Sequence, residues 1–208
     1  KIRQGVGAWV PMRSDFPKIT IVTPSFRSET TIEATLRSVL DQGYPDLEYI
    51  VMDGAGDDAW KIIQRYEDRL AHWESEPDDG QYDAIDRGFA RGTGEIFYWL
   101  NADDMMLPGA LSFIGEVFSR FPEIEWMSTL SPAYWDVQGR LSRVSSLPGF
   151  AREAFLDGYG LEGLRRRGKC IQQESTVFRS GLWRKARSGL LRRPLAGDYA
   201  LWCEMYRH

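Results

Sequence analysis

Asn101, Asp103 and Asp104 follow directly on the apolar run Ile96-Phe97-Tyr98-Trp99-Leu100, and they are the residues of this chain best suited to chemistry. Two neighbouring carboxylates repel and are comfortable only when solvated or neutralised by a cation. An all-oxygen donor set suits Mg²⁺ or Mn²⁺ better than zinc. The pair also has a plainer use, with Asp104 helping to cap the helix opened by Pro108-Gly109-Ala110-Leu111, where proline's missing N–H costs nothing. Asp198 has the same double reading. It follows Gly197 and precedes Leu201 and Met205 at helical spacing, so it either caps that helix or offers a carboxylate as general base. Asp53 closes Leu47-Glu48-Tyr49-Ile50-Val51-Met52 just before Gly54. It is a turn former there or an acceptor-only ligand for an N–H group. Asp79, Asp83 and Arg87 gather around a helix start, where the helix dipole alone favours acids.

These residues need elements to carry them. Lys18-Ile19-Thr20-Ile21-Val22-Thr23 predicts a first strand, ending where Pro24 removes a donor. Thr30 and Glu33 fit a capping box, and Ile32, Leu36, Val39 and Leu40 recur at helical spacing up to Gly43 and Pro45. A second strand over 47–52 leads to a helix from about Asp58, with Trp60, Ile63 and Leu70 inward. A short strand from Trp73 and a short helix carrying Tyr82, Ile85 and Phe89 come next. The apolar run 96–100 predicts a strand buried on both faces. Leu111, Ile114, Val117 and Phe118 mark a further helix, Ile124–Ser128 a strand, and Tyr134–Val144 a hairpin turning at Gln138-Gly139. This alternation of strand and helix predicts an α/β fold with a mostly parallel central sheet flanked by helices. Residues 1–17 form an arm and 18–208 one domain, with 18–120 and 121–208 as its two halves.

A dinucleotide fold or a phosphate loop places glycines after the first strand, but Thr23-Pro24-Ser25-Phe26-Arg27 has none. The chemistry is left to polar and acidic strand ends, at Thr23 and Ser25, Asp53, and Asp103 with Asp104. In a parallel sheet these lie along one edge, where open α/β sheets bind ligands. Thr-Pro-Ser-Phe at 23–26, Met-Asp-Gly at 52–54, Glu76 to Gly88, Leu-Asn-Ala-Asp-Asp at 100–104, Gln172 to Phe178 and Gly197 to Trp202 together resemble the inverting family 2 glycosyltransferases. The match covers roughly Lys18 to the C-terminus. It departs from the common family pattern at Asp86, often Asn, and at Ala55-Gly56-Asp57, often Ser-Thr-Asp. The resemblance implies a GT-A-like nucleotide-sugar fold using Mn²⁺ or Mg²⁺. Thr23, Pro24 and Ser25 would line the nucleotide pocket and Asp53 would hydrogen-bond the base. Asp79, Asp83 and Arg87 would approach base, ribose or sugar. Asn101 and Asp103 would support the nucleotide, Asp103 and Asp104 the metal. Asp198 would be the base that deprotonates an acceptor hydroxyl, with Gln173, Glu174 and Trp135 as contacts to acceptor or donor sugar. The implied partners are a nucleoside diphosphate sugar, a UDP-sugar favoured, and a glycan or lipid-linked acceptor.

Composition narrows the setting. The chain has 208 residues, 43% hydrophobic and 13% aromatic, with eight Trp, most of which a core absorbs. Trp135 and Trp183 are the candidate sugar platforms; Trp99 and Trp126 fall in strands and belong to the core. Its net charge of −4 hides an asymmetry. Up to Leu164 there are 15 Lys+Arg against 27 Asp+Glu, and from Arg165 to Arg193 there are 10 against one, Glu174. Arg165-Arg166-Arg167-Gly168-Lys169 therefore closes over a diphosphate, meets an anionic membrane surface, or is a solvated loop. No apolar run is long enough to cross a membrane, and no signal peptide is expected. Cys170 and Cys203 are two, without metal-ligand spacing. A cytoplasmic location, peripheral to the membrane at most, and no nucleic-acid partner are expected. A nucleotidyltransferase, or a non-catalytic nucleotide- or glycan-binding module on the same fold, are the rival readings.

Overall fold

A computed structural model describes residues 16–136, 139–146, 152–157, 171–191 and 196–208. Residues 1–15, the basic stretch Arg165–Lys169 and Cys170 lie outside the described residues. In chain order the elements are β1 (Ile19–Ser25), α1 (Ile32–Leu40), β2 (Leu47–Asp53), α2 (Ala59–Gln64), β3 (His72–Ser75), α3 (Gln81–Arg91), β4 (Ile96–Trp99) and α4 (Ala110–Arg120). The second half adds β5 (Trp126–Met127), β6 (Ala133–Trp135), β7 (Leu141–Val144), α5 (Arg152–Leu156), β8 (Val177–Arg179), α6 (Ser180–Ala186), α7 (Ser188–Leu191) and α8 (Gly197–Met205). Six strands form one sheet in the order β3-β2-β1-β4-β8-β5, and β6 and β7 pair separately. β1 through β4 run parallel, as the strand–helix alternation predicts, while β8 lies antiparallel between β4 and β5.

Side chains alternate across the sheet, so each strand feeds two cores. Ile21, Tyr49, Val51 and Tyr98 face α1 and α4. Val22, Ile50, Met52, Phe97 and Trp99 face α3, α6 and α8. The apolar run 96–100 is buried throughout, in keeping with a strand covered on both faces. The aromatic excess is spent mainly in the second core, where Phe89 stacks on Phe97 with ring centroids 4.5 Å apart and meets Trp183 at 4.7 Å. Trp183 is therefore a core residue, 3% exposed, and not the sugar platform expected from sequence. Among the described residues, no helix is long and apolar enough to cross a membrane.

Several local expectations are corrected. β1 does not stop at Thr23 but pairs with β2 through Pro24↔Met52 and Ser25↔Asp53. The Val22 carbonyl accepts from Leu100 on the β4 side and the Ser25 carbonyl accepts from Gly54 on the β2 side. That alternation points Pro24's missing donor toward β4, where pairing has already ended at Val22↔Trp99, so nothing is lost. The capping box does not form. Thr31 is the N-cap of α1, and Glu33 instead accepts from the Tyr66 hydroxyl and pairs with Arg65. Trp60 is 38% exposed and Leu70 lies beyond α2, leaving Ala59 and Ile63 as its buried face. Gly109, at φ 80°, is the N-cap of α4, with Pro108 one residue outside.

The opposite, N-terminal edge of the sheet is tied by one carboxylate. Glu48 accepts from Thr20 Oγ1 at 2.5 Å, the Thr93 amide at 2.6 Å, Thr93 Oγ1 at 2.8 Å and Lys18 Nζ at 2.9 Å. Burial pushes its pKa up, but these donors outweigh it and hold the carboxyl at about 2.

Candidate active site

At the C-terminal edge of the sheet, β1, β2 and β4 end together around an open cavity of about 690 Å³. Pro24, Ser25, Gly54, Asp78, Gln81 and Asp103 are among its lining, with Phe26 and Arg27 at the mouth. Asp53 stands beneath it, 2% exposed. Its two oxygens accept from Ser25 Oγ at 2.7 Å and Ser75 Oγ at 2.6 Å, so the tips of β1 and β3 fix the carboxylate between them. A carboxylate has about four acceptor positions, which leaves capacity for a further N–H. Thr23 is fully buried, bonds the Tyr49 hydroxyl at 3.0 Å and does not line the cavity.

Asn101 is the hub on the β4 side. Its Oδ1 accepts from Gln81 Nε2 at 2.6 Å and Trp99 Nε1 at 2.7 Å. Its Nδ2 donates to Asp104 Oδ2 at 3.1 Å and to Gln173 Oε1 at 2.8 Å. Gln173 in turn donates to the Trp99 carbonyl at 2.7 Å. Gln173 thus orients Asn101, and through it the Asp104 carboxylate. Asp104 is half-buried. Burial, then the Glu174 and Asp103 charges, push its carboxyl up to about 7, against a smaller opposing effect of the Asn101 bond. Tyr98 donates its hydroxyl to the Glu174 carbonyl, which fixes Glu174 on that side.

This acidic cluster has the chemistry of a hard-cation site. Among the described residues, no group of three or more His, Cys, Asp or Glu closes on one point. Asp103 and Asp104 are the oxygen donors that a Mg²⁺ or Mn²⁺ ion would take here, its set completed by water and substrate phosphates.

Asp198 lies in the first turn of α8, half-buried, with Oδ1 accepting from the Tyr199 amide at 2.8 Å. It is not the N-cap, which is Ala196. Glu174 and Trp135 line a second, mainly apolar cavity of about 580 Å³ with Met105, Leu107, Phe113 and Leu130. Asp79, Asp83 and Arg87 do not line the first cavity. Asp79 and Asp83 hold the turn into α3, and Arg87 pairs with Glu74 and Asp83. Asp78, which sequence reasoning passed over, does line it, turned in by accepting from the Gly80 amide at 2.8 Å. Phe26 was also missed. It is 61% exposed, with the Arg27 guanidinium 5.1 Å from its ring centre. A Cβ on Gly56 would stand 2.6 Å from that ring, so the glycine spacing after Asp53 is the sequence signal that an aromatic packs there.

The six-stranded, mostly parallel sheet flanked by helices has the architecture of the GT-A class of nucleotide-sugar folds. The glycosyl transferase family 2 model matches residues 20–142, and the chain belongs to that family. It is 37% identical over 90 residues to an uncharacterized glycosyltransferase of Mycobacterium tuberculosis, covering 42% of this chain and 34% of the relative. It is 30% identical over 101 residues to the GalNAc(5)-diNAcBac-PP-undecaprenol beta-1,3-glucosyltransferase of Campylobacter jejuni, covering 46% and 33%. The chain spans about a third of the length of these relatives. In fold it is similar to S. aureus TarS 1-349 in complex with UDP, with TM-score 0.60, 14% identity, and 91% and 55% of the two chains covered. It is likewise similar to the mannosyltransferase PcManGT from Pyrobaculum calidifontis in complex with GDP-Man and Mn²⁺, with TM-score 0.59, 19% identity, and 82% and 47% covered.

Proposed function

We propose that this chain carries the catalytic centre of a metal-dependent, inverting glycosyltransferase. It moves a hexosyl group from a nucleoside diphosphate sugar, a UDP-sugar by preference, to a hydroxyl of a glycan or lipid-linked acceptor in polysaccharide or glycolipid assembly. The observation that carries this reading is the juxtaposition of the cavity with the acidic Asp103–Asp104–Glu174 cluster. A carboxylate whose pKa is raised by burial and by neighbouring acids is relieved by a cation.

In this reading Asp53 accepts from the ring N–H of a uracil, Phe26 offers a face to the base, and Ser25 and Asp78 line its path. Asp103 and Asp104 hold Mn²⁺ or Mg²⁺, with Asn101 and Gln173 fixing the Asp104 carboxylate. When bound, the cation offsets negative charge on the departing diphosphate. Asp198 takes the proton of the acceptor hydroxyl as that oxygen bonds to the anomeric carbon. The bond from the anomeric carbon to the diphosphate oxygen breaks on the opposite face, which inverts the centre in one displacement. Asp79, Asp83 and Arg87 act on the donor by holding the α3 turn. The apolar second cavity beside Glu174 and Trp135 supports an acceptor with an apolar portion, as in the undecaprenol-linked acceptor named for the Campylobacter relative. A cytoplasmic, membrane-peripheral setting accords with such an acceptor.

Calorimetric titration with UDP, GDP, CDP and dTDP, with and without Mn²⁺, tests the core of the reading. Expected is Mn²⁺-dependent binding of one nucleotide, weakened in Asp104→Ala. Absence of binding to all four under both conditions would remove the enzyme reading in favour of a non-catalytic module.

A further inference from the structure

We infer that Tyr82 is a positioning residue for Asp198, acting as the cap of α8 from a different helix; this rests on the proposed role of Asp198 as general base. The first N–H groups of a helix have no partner within it and need acceptors. Ala196, the N-cap of α8, has no side-chain oxygen to offer. The Tyr82 hydroxyl, reaching over from the first turn of α3, accepts from the Gly197 amide at 3.2 Å. The next amide, of Tyr199, is taken by Asp198's own carboxylate.

The ring is seated as carefully as the hydroxyl. A Cβ at Gly197 would stand 2.5 Å from Tyr82 Cε2 and 2.6 Å from the Leu190 carbonyl, so only glycine admits the ring here. On its other side Tyr82 meets Trp99 edge to face, at 5.9 Å and 87°. Trp99 is the residue whose indole N–H holds Asn101. One chain of contacts therefore runs from the Asp104 cluster through Asn101, Trp99 and Tyr82 to Asp198. One turn further along the same face of α3, Asp86 pairs with Arg187 in bidentate fashion, its Oδ1 accepting from Nε at 2.6 Å. This second grip docks α3 on the α6–α8 unit without Tyr82, so the hydroxyl can be removed with the packing kept.

Removal of the hydroxyl leaves the Gly197 amide without its acceptor. The Asp198 carboxylate, which already holds the Tyr199 amide, is then drawn further onto its own helix and away from an acceptor. Tyr82→Phe retains the ring and isolates this effect. Wild type, Tyr82→Phe and Asp198→Asn should be compared in hydrolysis of UDP-GlcNAc and GDP-mannose with Mn²⁺, followed as nucleoside diphosphate release. Amide hydrogen exchange at Gly197 is read alongside. Expected for Tyr82→Phe is a kcat about tenfold or more below wild type, a donor KM within about twofold, and loss of protection at that amide. A merely structural loss would move KM and kcat together. An unprotected Gly197 amide in the wild-type protein, or a Tyr82→Phe kcat within about twofold of wild type while Asp198→Asn is inactive, would overturn the inference. Full activity of Asp198→Asn would instead sink the base assignment itself, whatever Tyr82 does.

Discussion

Asp104 gives the site a pH signature that an ordinary surface acid lacks. Burial and the Glu174 and Asp103 charges raise its carboxyl from 3.8 to about 7 in the metal-free protein. Metal ligands must be deprotonated to bind. The ionised fraction of such a group is about one tenth at pH 6 and about nine tenths at pH 8, so apparent Mn²⁺ affinity should rise about tenfold over that interval. A carboxyl at 3.8 would be ionised throughout and give no change. The stability of the metal-free fold should run the other way. A folded-state pKa above the unfolded one means that proton binding stabilises the fold. That contribution is complete below about 3.8 and is lost as pH rises through about 7. The rise from 3.8 to about 7 corresponds to at most about 4 kcal/mol, or on the order of 10 °C in Tm for a chain of this size. The assay is thermal unfolding from pH 4 to pH 8, with chelator and with Mn²⁺, for wild type and Asp104→Asn. The Asp104→Asn curve should lack this descending component, so that its advantage over wild type grows with pH in chelator. Mn²⁺ should close the gap by restoring wild type alone. Parallel curves for the two proteins in chelator would refute the electrostatic argument and with it the cation site.

Three further outcomes follow from particular contacts. Glu48→Gln should cost about 2–3 kcal/mol at pH 7. The folded pKa lies below the unfolded one, so this contribution is present above about 4.5 and lost as pH falls toward about 2; urea unfolding at pH 7 and pH 3 should show the deficit shrinking, and an equal deficit at both would contradict it. Phe26→Ala should leave Tm nearly unchanged, because the ring is 61% exposed, yet weaken nucleotide binding by about 1–3 kcal/mol if the base stacks there; unaltered affinity by calorimetry would place the base elsewhere. Gln173→Ala leaves the Trp99 carbonyl and Asn101 each short of a partner and should cost about 1–3 kcal/mol of stability. It should also lower Mn²⁺-dependent nucleotide affinity, and a normal affinity would show that Asp104 needs no such support.

The parallel half of the fold was legible because its strands are buried on both faces and must be written as apolar runs. Their acidic ends were legible for the same reason, since Asp53 and Asp103 break those runs abruptly. β8 was not, because three residues, Val177 to Arg179, carry no period, and their place between β4 and β5 is set by contacts far apart in sequence. Trp183 was misread because its burial depends on that placement. Asp78 lines the cavity and Asp79 does not: in the turn at Gly80, φ 105°, the Asp78 carboxylate accepts from the Gly80 amide, while Asp79 is tied through its amide to Asp83. Neighbouring acids are indistinguishable until such a turn is known. Glu33 had a local use in a capping box and a tertiary one with Tyr66 and Arg65, and the tertiary one won. Tyr82 read as a core position on the helical period, which its ring satisfies, while its hydroxyl serves a helix more than a hundred residues away.

The two edges of the sheet treat the same chemical group in opposite ways, and that contrast is the best physical guide to where function sits. At the N-terminal edge Glu48 has four donors for its two oxygens, and its pKa falls to about 2. Its charge is satisfied by the fold alone, so it stabilises and can bind nothing more. At the C-terminal edge the Asp104 carboxylate accepts from Asn101, and burial together with two further acids raises its pKa to about 7. A fold selected only for stability gains from replacing that carboxylate with an amide and loses from replacing Glu48. Strain of this kind persists where something outside the chain relieves it. Arg27 and Ala55, both at positive φ beside the same edge, add backbone cost to the electrostatic one. The C-terminal edge is therefore incomplete in charge and strained in backbone, and a cation with a diphosphate is the complement that its oxygen donors and cavity would accept.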